Sequence, residues 1–167
     1  PVISGGPLVF NSIYTSEHYD ARLEQPGWSA PGFDDSAWDG VMYRGAPSQR
    51  VTAQQTVPIR NVTQYRPRSV RKLDERSYLY DFGQNMAGVT KLRLREAGTQ
   101  LRLIHAERLR EDGHADLSNI DVYFRPTDKD DLFQTDVVTL SGRDDEFMPR
   151  FNYKGFRYVE VVADRPV

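Results

Sequence analysis

Val89-Thr90-Lys91-Leu92-Arg93-Leu94-Arg95, then Glu96-Ala97-Gly98-Thr99, then Gln100-Leu101-Arg102-Leu103-Ile104-His105-Ala106 is the stretch that decides the fold. Leu92 and Leu94 share one face, and Lys91, Arg93 and Arg95 share the other. That period of two belongs to a half-buried strand. Leu101 and Leu103 repeat it after a turn at Glu96–Thr99, so the two runs read as a hairpin. Asp136–Leu140 and Phe156–Val162 add two strands rich in β-branched and aromatic residues. Ser141-Gly142-Arg143-Asp144-Asp145 is a turn between them. No window carries the 3.6 period of an amphipathic helix. Ala106–Glu111 allows one short helical turn, stopped by Asp112-Gly113. Short strands separated by turn signals predict an all-β, antiparallel β-sandwich of jelly-roll type.

The first part of the chain is different. Pro1 to about Pro58 is rich in Gly, Pro, Ser and Asp, and Val9–Tyr14 and Val41–Arg44 are its only strand candidates. Gln25-Pro26-Gly27-Trp28-Ser29-Ala30-Pro31-Gly32-Phe33-Asp34-Asp35-Ser36 is turn chemistry almost throughout. Trp28 and Trp38 are expected to pin this segment onto a neighbouring sheet. The predicted division is a small turn-rich N-terminal subdomain, residues 1–58, and a β-sandwich, residues 59–167. The chain opens on Pro1 rather than Met, as expected of a fragment or a processed product.

Bulk chemistry excludes several functions. The chain has 167 residues, 28% of them charged, and a net charge of -2. Phosphate binding needs a concentrated basic surface, and here the densest cluster, Arg66, Arg68, Arg71 and Lys72, is followed at once by Asp74 and Glu75. Nucleic acid is therefore not the expected partner. No cysteine is present, which removes disulfides, thiolate metal sites and thiol nucleophiles. No apolar run reaches the ~20 residues of a membrane helix, and no membrane partner is expected.

Several residue groups carry possible chemistry. Asp34-Asp35, Asp130-Asp131 and Asp144-Asp145 are adjacent carboxylates. Neighbours on a strand point to opposite faces and cannot flank one bond, so turn capping is the expected role. His105 and Glu107 share a face at a strand end, where a structural hydrogen bond is favoured over a metal or acid–base pair. Gly83 and Gly88 mark a bulge or tight bend around Asn85. Arg150 and Arg157 are expected to hold carboxylates such as Glu107 or Asp136. The connection from Asp112 to Asp136 offers many oxygens, including Asp116, Asn119, Asp121, Asp128, Asp130 and Asp131. That composition suits either a solvated loop or a calcium site. The metal candidates are Asp116, Asn119 and Asp121. The same loop offers Asn119, Asp121, Tyr123 and Arg125 for sugar hydroxyls and an aromatic contact, with Phe124 and Phe133 nearby.

Two blocks resemble a known family. Tyr19-Asp20-Ala21-Arg22, Gly27-Trp28 and Pro31-Gly32-Phe33-Asp34-Asp35-Ser36 with Trp38 form the first. Asp81-Phe82-Gly83-Gln84-Asn85 with Gly88, His105-Ala106-Glu107, Pro149-Arg150-Phe151 and Gly155-Phe156-Arg157-Tyr158-Val159-Glu160-Val161 form the second. In order and distance they resemble the bacterial α-L-rhamnosidases of glycoside hydrolase family 78. The resemblance implies a non-catalytic region, because that family's acid and base sit in a helical α/α barrel that nothing here resembles. The barrel is then a partner, as is an L-rhamnose-containing carbohydrate. Some members hold L-rhamnose in this region through calcium, so the resemblance also implies a calcium ion and an exported or periplasmic setting. The alternative is a structural spacer that packs on the barrel and has no ligand of its own.

Overall fold

A computed structural model describes residues 5–40, 42, 45–46, 48–126 and 131–166. Among the described residues eleven strands form in chain order: β1 Leu8–Asn11, β2 Glu17–Asp20, β3 Ser69–Lys72, β4 Ser77–Gly88, β5 Leu92–Leu94, β6 Ala97–Ala106, β7 Arg108–Leu109, β8 Ala115–Asp116, β9 Thr135–Ser141, β10 Asp145–Phe147 and β11 Lys154–Ala163. Seven of them make one sheet in the order β1-β2-β9-β6-β11-β4-β3, while β10-β5 and β7-β8 are separate two-stranded ribbons. The all-β expectation holds. The pairing is mixed rather than wholly antiparallel, since β2 runs parallel to β9.

Alternation on the central strands builds the core. Thr99, Leu101, Leu103 and His105 of β6 are buried, while Gln100 and Arg102 between them are exposed. Leu101 lies opposite Val138, and Val161 opposite Leu103, so β9, β6 and β11 present one continuous face. Leu101, Leu103, Val138, Leu140, Val159 and Ala163 fill it. Phe147 of β10 and Leu92 of β5 pack onto the same cluster, so the β5–β10 ribbon is the second layer over this face. Glu160, between Val159 and Val161, points to the other face. Its carboxylate accepts from the Ala115 amide at 2.7 Å and lies 2.7 Å from His114 Nδ1, which ties the β7–β8 ribbon to that side.

The expected hairpin of Val89–Arg95 with Gln100–Ala106 does not form. Both edges of β6 are taken, by β9 and β11, so β5 pairs with β10 instead. Ala106–Glu111 is likewise not helical. Arg108 and Leu109 pair with Asp116 and Ala115 around the Asp112-Gly113 turn, and the long connection thereby acquires a ribbon of its own. The bend expected at Gly83 is present. Tyr158 faces Asp81 but Phe156 faces Met86, so Phe82–Asn85 is extra length on β4. Gly83 has φ +78, and the Arg68 side chain occupies the place of a Cβ.

The compact units fall differently from a 1–58 and 59–167 division. The chain up to Glu24 belongs with Tyr65 onward, and Gln25–Gln64 is the other unit. β1 and β2 are sheet strands, which is why the first residues join the sandwich. Within the Gln25–Gln64 unit the described residues form turns and extended chain. Trp38 stacks on Phe33 and donates to Gln25 Oε1 at 2.8 Å, so it braces its own segment. Trp28 is 61% exposed. The Val41–Arg44 strand candidate lies largely outside the described residues.

Candidate functional site

Two polar groups stand out against this scaffold. One is buried at the end of the core face. Glu17, Asp136 and Lys154 occupy positions where the strand period calls for apolar side chains, Asn152 lies in the loop before β11, and all four are buried. Lys154 Nζ donates to Asp136 Oδ1 at 2.6 Å and to Asn152 Oδ1 at 2.7 Å. Asp136 Oδ1 also accepts from the Glu17 amide at 2.9 Å. Glu17 in turn accepts from the backbone amides of Arg150 and Phe151 at 2.8 and 2.6 Å. Burial pushes the Glu17 carboxyl up and the Lys154 ammonium down from their ordinary values.

His105 borders this network. Its Nδ1 lies 3.1 Å from the Gln134 carbonyl, which can only accept, so Nδ1 carries the proton. Nε2 then accepts from Thr90 Oγ1 at 2.7 Å. Complete burial pulls the imidazole down to about 4, so it is neutral at physiological pH. The Gln134 carbonyl also takes the His105 amide at 2.9 Å. Gln134 has φ 53, the one positive value of a non-glycine among the described residues.

The second group is accessible. Asn85, in the β4 bulge, donates to Glu107 Oε1 at 3.0 Å. Asn119 reaches Glu107 Oε2 at 3.5 Å, the limit of a hydrogen bond. Both asparagines are exposed and Glu107 is half-buried. Gly155 lies beside the carboxylate, its absent Cβ 3.5 Å from Glu107 Oε1. Gln134 Nε2 donates to the Gly155 carbonyl at 3.1 Å. Phe133, next in the chain, stacks on Phe124 with centroids 5.0 Å apart. Arg108 bonds Ser118 at 3.0 Å and Asp116 at 2.8 Å, which fixes the loop that delivers Asn119.

The loop residues singled out from the sequence are thus only partly united. Asn119 joins Asn85 and Glu107. Asp116 is committed to Arg108 and accepts from the Ser118 amide at 2.9 Å, contacts that hold its carboxyl below the usual range. Asp121 opens the short 3-10 helix Asp121–Tyr123 and is exposed. Arg125 turns back onto the Val122 and Phe124 carbonyls, 3.1 and 2.8 Å away. The Tyr123 side chain, Asp128 and Asp130 lie outside the described residues. Among the described residues no three His, Cys, Asp or Glu side chains come together as a metal site would require.

Other expectations are corrected. His105 and Glu107 do not pair: β6 ends at Ala106, His105 faces the core, and Glu107 meets the two asparagines. Arg157 holds Asp81 through two 2.9 Å bonds, and Lys154 is the partner of Asp136. Arg150 contributes its amide to Glu17. Of the adjacent carboxylates some serve turns, whereas Asp131 is buried and accepts from the Thr15 hydroxyl. Asp34 accepts from the Ser36 amide, Asp145 from Ser141, and Asp144 pairs with Arg93.

The class is that of a β-rich sandwich scaffold. Residues 71–165 match the bacterial alpha-L-rhamnosidase concanavalin-like domain, and residues 2–63 match the alpha-L-rhamnosidase N-terminal domain. The chain belongs to the bacterial α-L-rhamnosidase family. An alpha-L-rhamnosidase of Streptomyces avermitilis is 39% identical over 165 residues, 96% of this chain and 15% of that protein. The solved structure of alpha-L-rhamnosidase from that organism, complexed with L-rhamnose, matches with TM-score 0.81 and 38% identity over 95% of this chain and 15% of its own. The Dictyoglumus thermophilum alpha-L-rhamnosidase structure matches with TM-score 0.77 and 37% identity, covering 94% of this chain and 17% of its own. The chain thus spans about one-sixth of the length of these relatives.

Proposed function

We propose that this chain is a non-catalytic accessory module of an α-L-rhamnosidase and that it holds rhamnosyl sugar for the parent enzyme. The observation that carries this reading is the asymmetry of coverage, nearly all of this chain against 15% of the Streptomyces avermitilis relative. A region so small a part of the enzyme is read as support for chemistry done elsewhere. The disposition of carboxylates favours the same reading. Glycoside hydrolysis needs two of them, about 5–9.5 Å apart across an open bond. Glu17 and Asp136 are buried, Asp34 and Asp145 accept from nearby backbone amides, and Asp144 pairs with Arg93.

The test is a turnover assay of the purified chain with an aryl α-L-rhamnoside. No release above the uncatalysed rate is expected, and turnover that tracks the chain through purification would overturn the reading. The structural alternative, packing on the rest of a rhamnosidase, is favoured by one feature. Tyr14, Phe151 and Tyr153 are exposed near loops that Glu17 ties together. A module that packs but binds no sugar gives neither turnover nor rhamnose binding.

A further inference from the structure

We propose that Glu107, Asn85 and Asn119 form the polar wall of a saccharide-binding site, and that Phe124 and Phe133 form its apolar wall. The inference rests on the reading that the module holds rhamnosyl sugar, and it assigns that role to named residues.

Three separate elements deliver the polar groups: the β4 bulge, the exit of β6 and the loop after β8. A carboxylate flanked by two primary amides offers acceptors and donors side by side. Each asparagine gives one N–H to Glu107, so its second N–H and its carbonyl oxygen remain for a ligand. Adjacent ring hydroxyls, each both donor and acceptor, suit this arrangement. The negative charge of Glu107 disfavours phosphates and sugar acids, since Arg108 is already held by Asp116. The ligand class is therefore a neutral polyhydroxylated ring. An apolar edge or methyl group on that ring matches the stacked Phe124–Phe133 pair, both half-buried.

Gly155 leaves the carboxylate uncovered. Its Cβ position is in ordinary contact with Glu107 Oε1, so a longer side chain would extend over the group. Gln134 supplies the independent sign. It is a non-glycine held at φ 53, and such residues cluster at ligand sites. It is held there by two donors from His105, and its side chain fixes the Gly155 strand edge. His105 and Gln134 are positioning residues in this account.

The experiment is amide NMR of the isotope-labelled chain during titration with L-rhamnose. Saturable shifts of the Asn85 and Asn119 side-chain amides are expected, with ring-proton shifts at Phe124 and Phe133. Glu107→Gln should weaken binding at least tenfold while the unfolding midpoint stays put. Asn85→Ala gives the same readout should Glu107→Gln misfold. Saturable binding with shifts confined elsewhere, and undiminished in both variants, overturns this site and leaves the accessory reading standing. No saturable shift anywhere overturns both the site and the sugar-holding role.

Discussion

The two ends of one buried face are built on opposite principles. Leu101, Leu103, Val138, Leu140, Val159 and Ala163 make one end, closed by Phe147 and Leu92. Glu17, Asp136, Lys154, Asn152 and His105 make the other, on β2, β9, β11 and β6 and the loop before β11. The apolar end supplies stability through area removed from water. The ionic end is not an efficient way to gain stability, because desolvation offsets most of the attraction between buried charges. It offers direction instead. Glu17 fixes the amides of Arg150 and Phe151, and His105 fixes Gln134. The sandwich stabilises itself at one end and orients its loops at the other.

The comparison breaks most visibly at Lys154. Lys154→Ala leaves Asp136 and Glu17 buried without their cation, and a loss of about 3–5 kcal/mol is expected in chemical denaturation. A loss below 1 kcal/mol would mean that water already reaches this end. Leu103→Ala at the apolar end, where the side chain is fully buried, should cost about 2–5 kcal/mol by the cavity it leaves. The two variants differ in a second readout: Lys154→Ala should shift the backbone signals of Arg150 and Phe151, and Leu103→Ala should not.

A smaller effect lies in pH. The His105 imidazole is depressed to about 4 in the folded protein from an ordinary 6.5. Between those values the unfolded chain binds the proton and the folded chain does not. Stability from this group is therefore full above about pH 6.5 and falls as pH drops toward 4, by at most about 3 kcal/mol. Asp136 and Lys154 face the ring with opposite effects on it. Glu17 works the other way, since its raised carboxyl takes a proton earlier in the folded state. Denaturation midpoints measured across this window should slope for the native chain and flatten for His105→Gln.

Much of this fold is written in the strand period. Leu101, Leu103, Val138 and Val159 alternate as a half-buried sheet requires, and Gly83 marks its bulge. Partner choice is not written there. β5 looks like the hairpin mate of β6, and only the occupation of both β6 edges sends it to β10. The ionic end left a trace in the sequence: Asp136-x-Val138-x-Leu140, Lys154-x-Phe156 and Leu101-x-Leu103-x-His105 put polar residues in phase with the core. Charges are so ordinary at strand ends that this phase carries little weight without the opposing strand in view. The oxygen-rich composition of the loop from Asp112 to Asp136 is legible in the sequence, Asn119 within it. Glu107 and Asn85 join Asn119 from distant positions, and spacing along the chain does not encode such convergence.

The central claim is that this module holds rhamnosyl sugar without acting on it. Calorimetric titration of L-rhamnose into the purified chain tests it most directly, first with calcium and then with chelator. The account predicts saturable heat at millimolar sugar that survives the chelator, because Glu107, Asn85 and Asn119 need no ion to meet hydroxyls. Absence of heat in both conditions would contradict it and leave a structural module. Heat that vanishes with chelator would place the binding on a metal rather than on the Glu107 site.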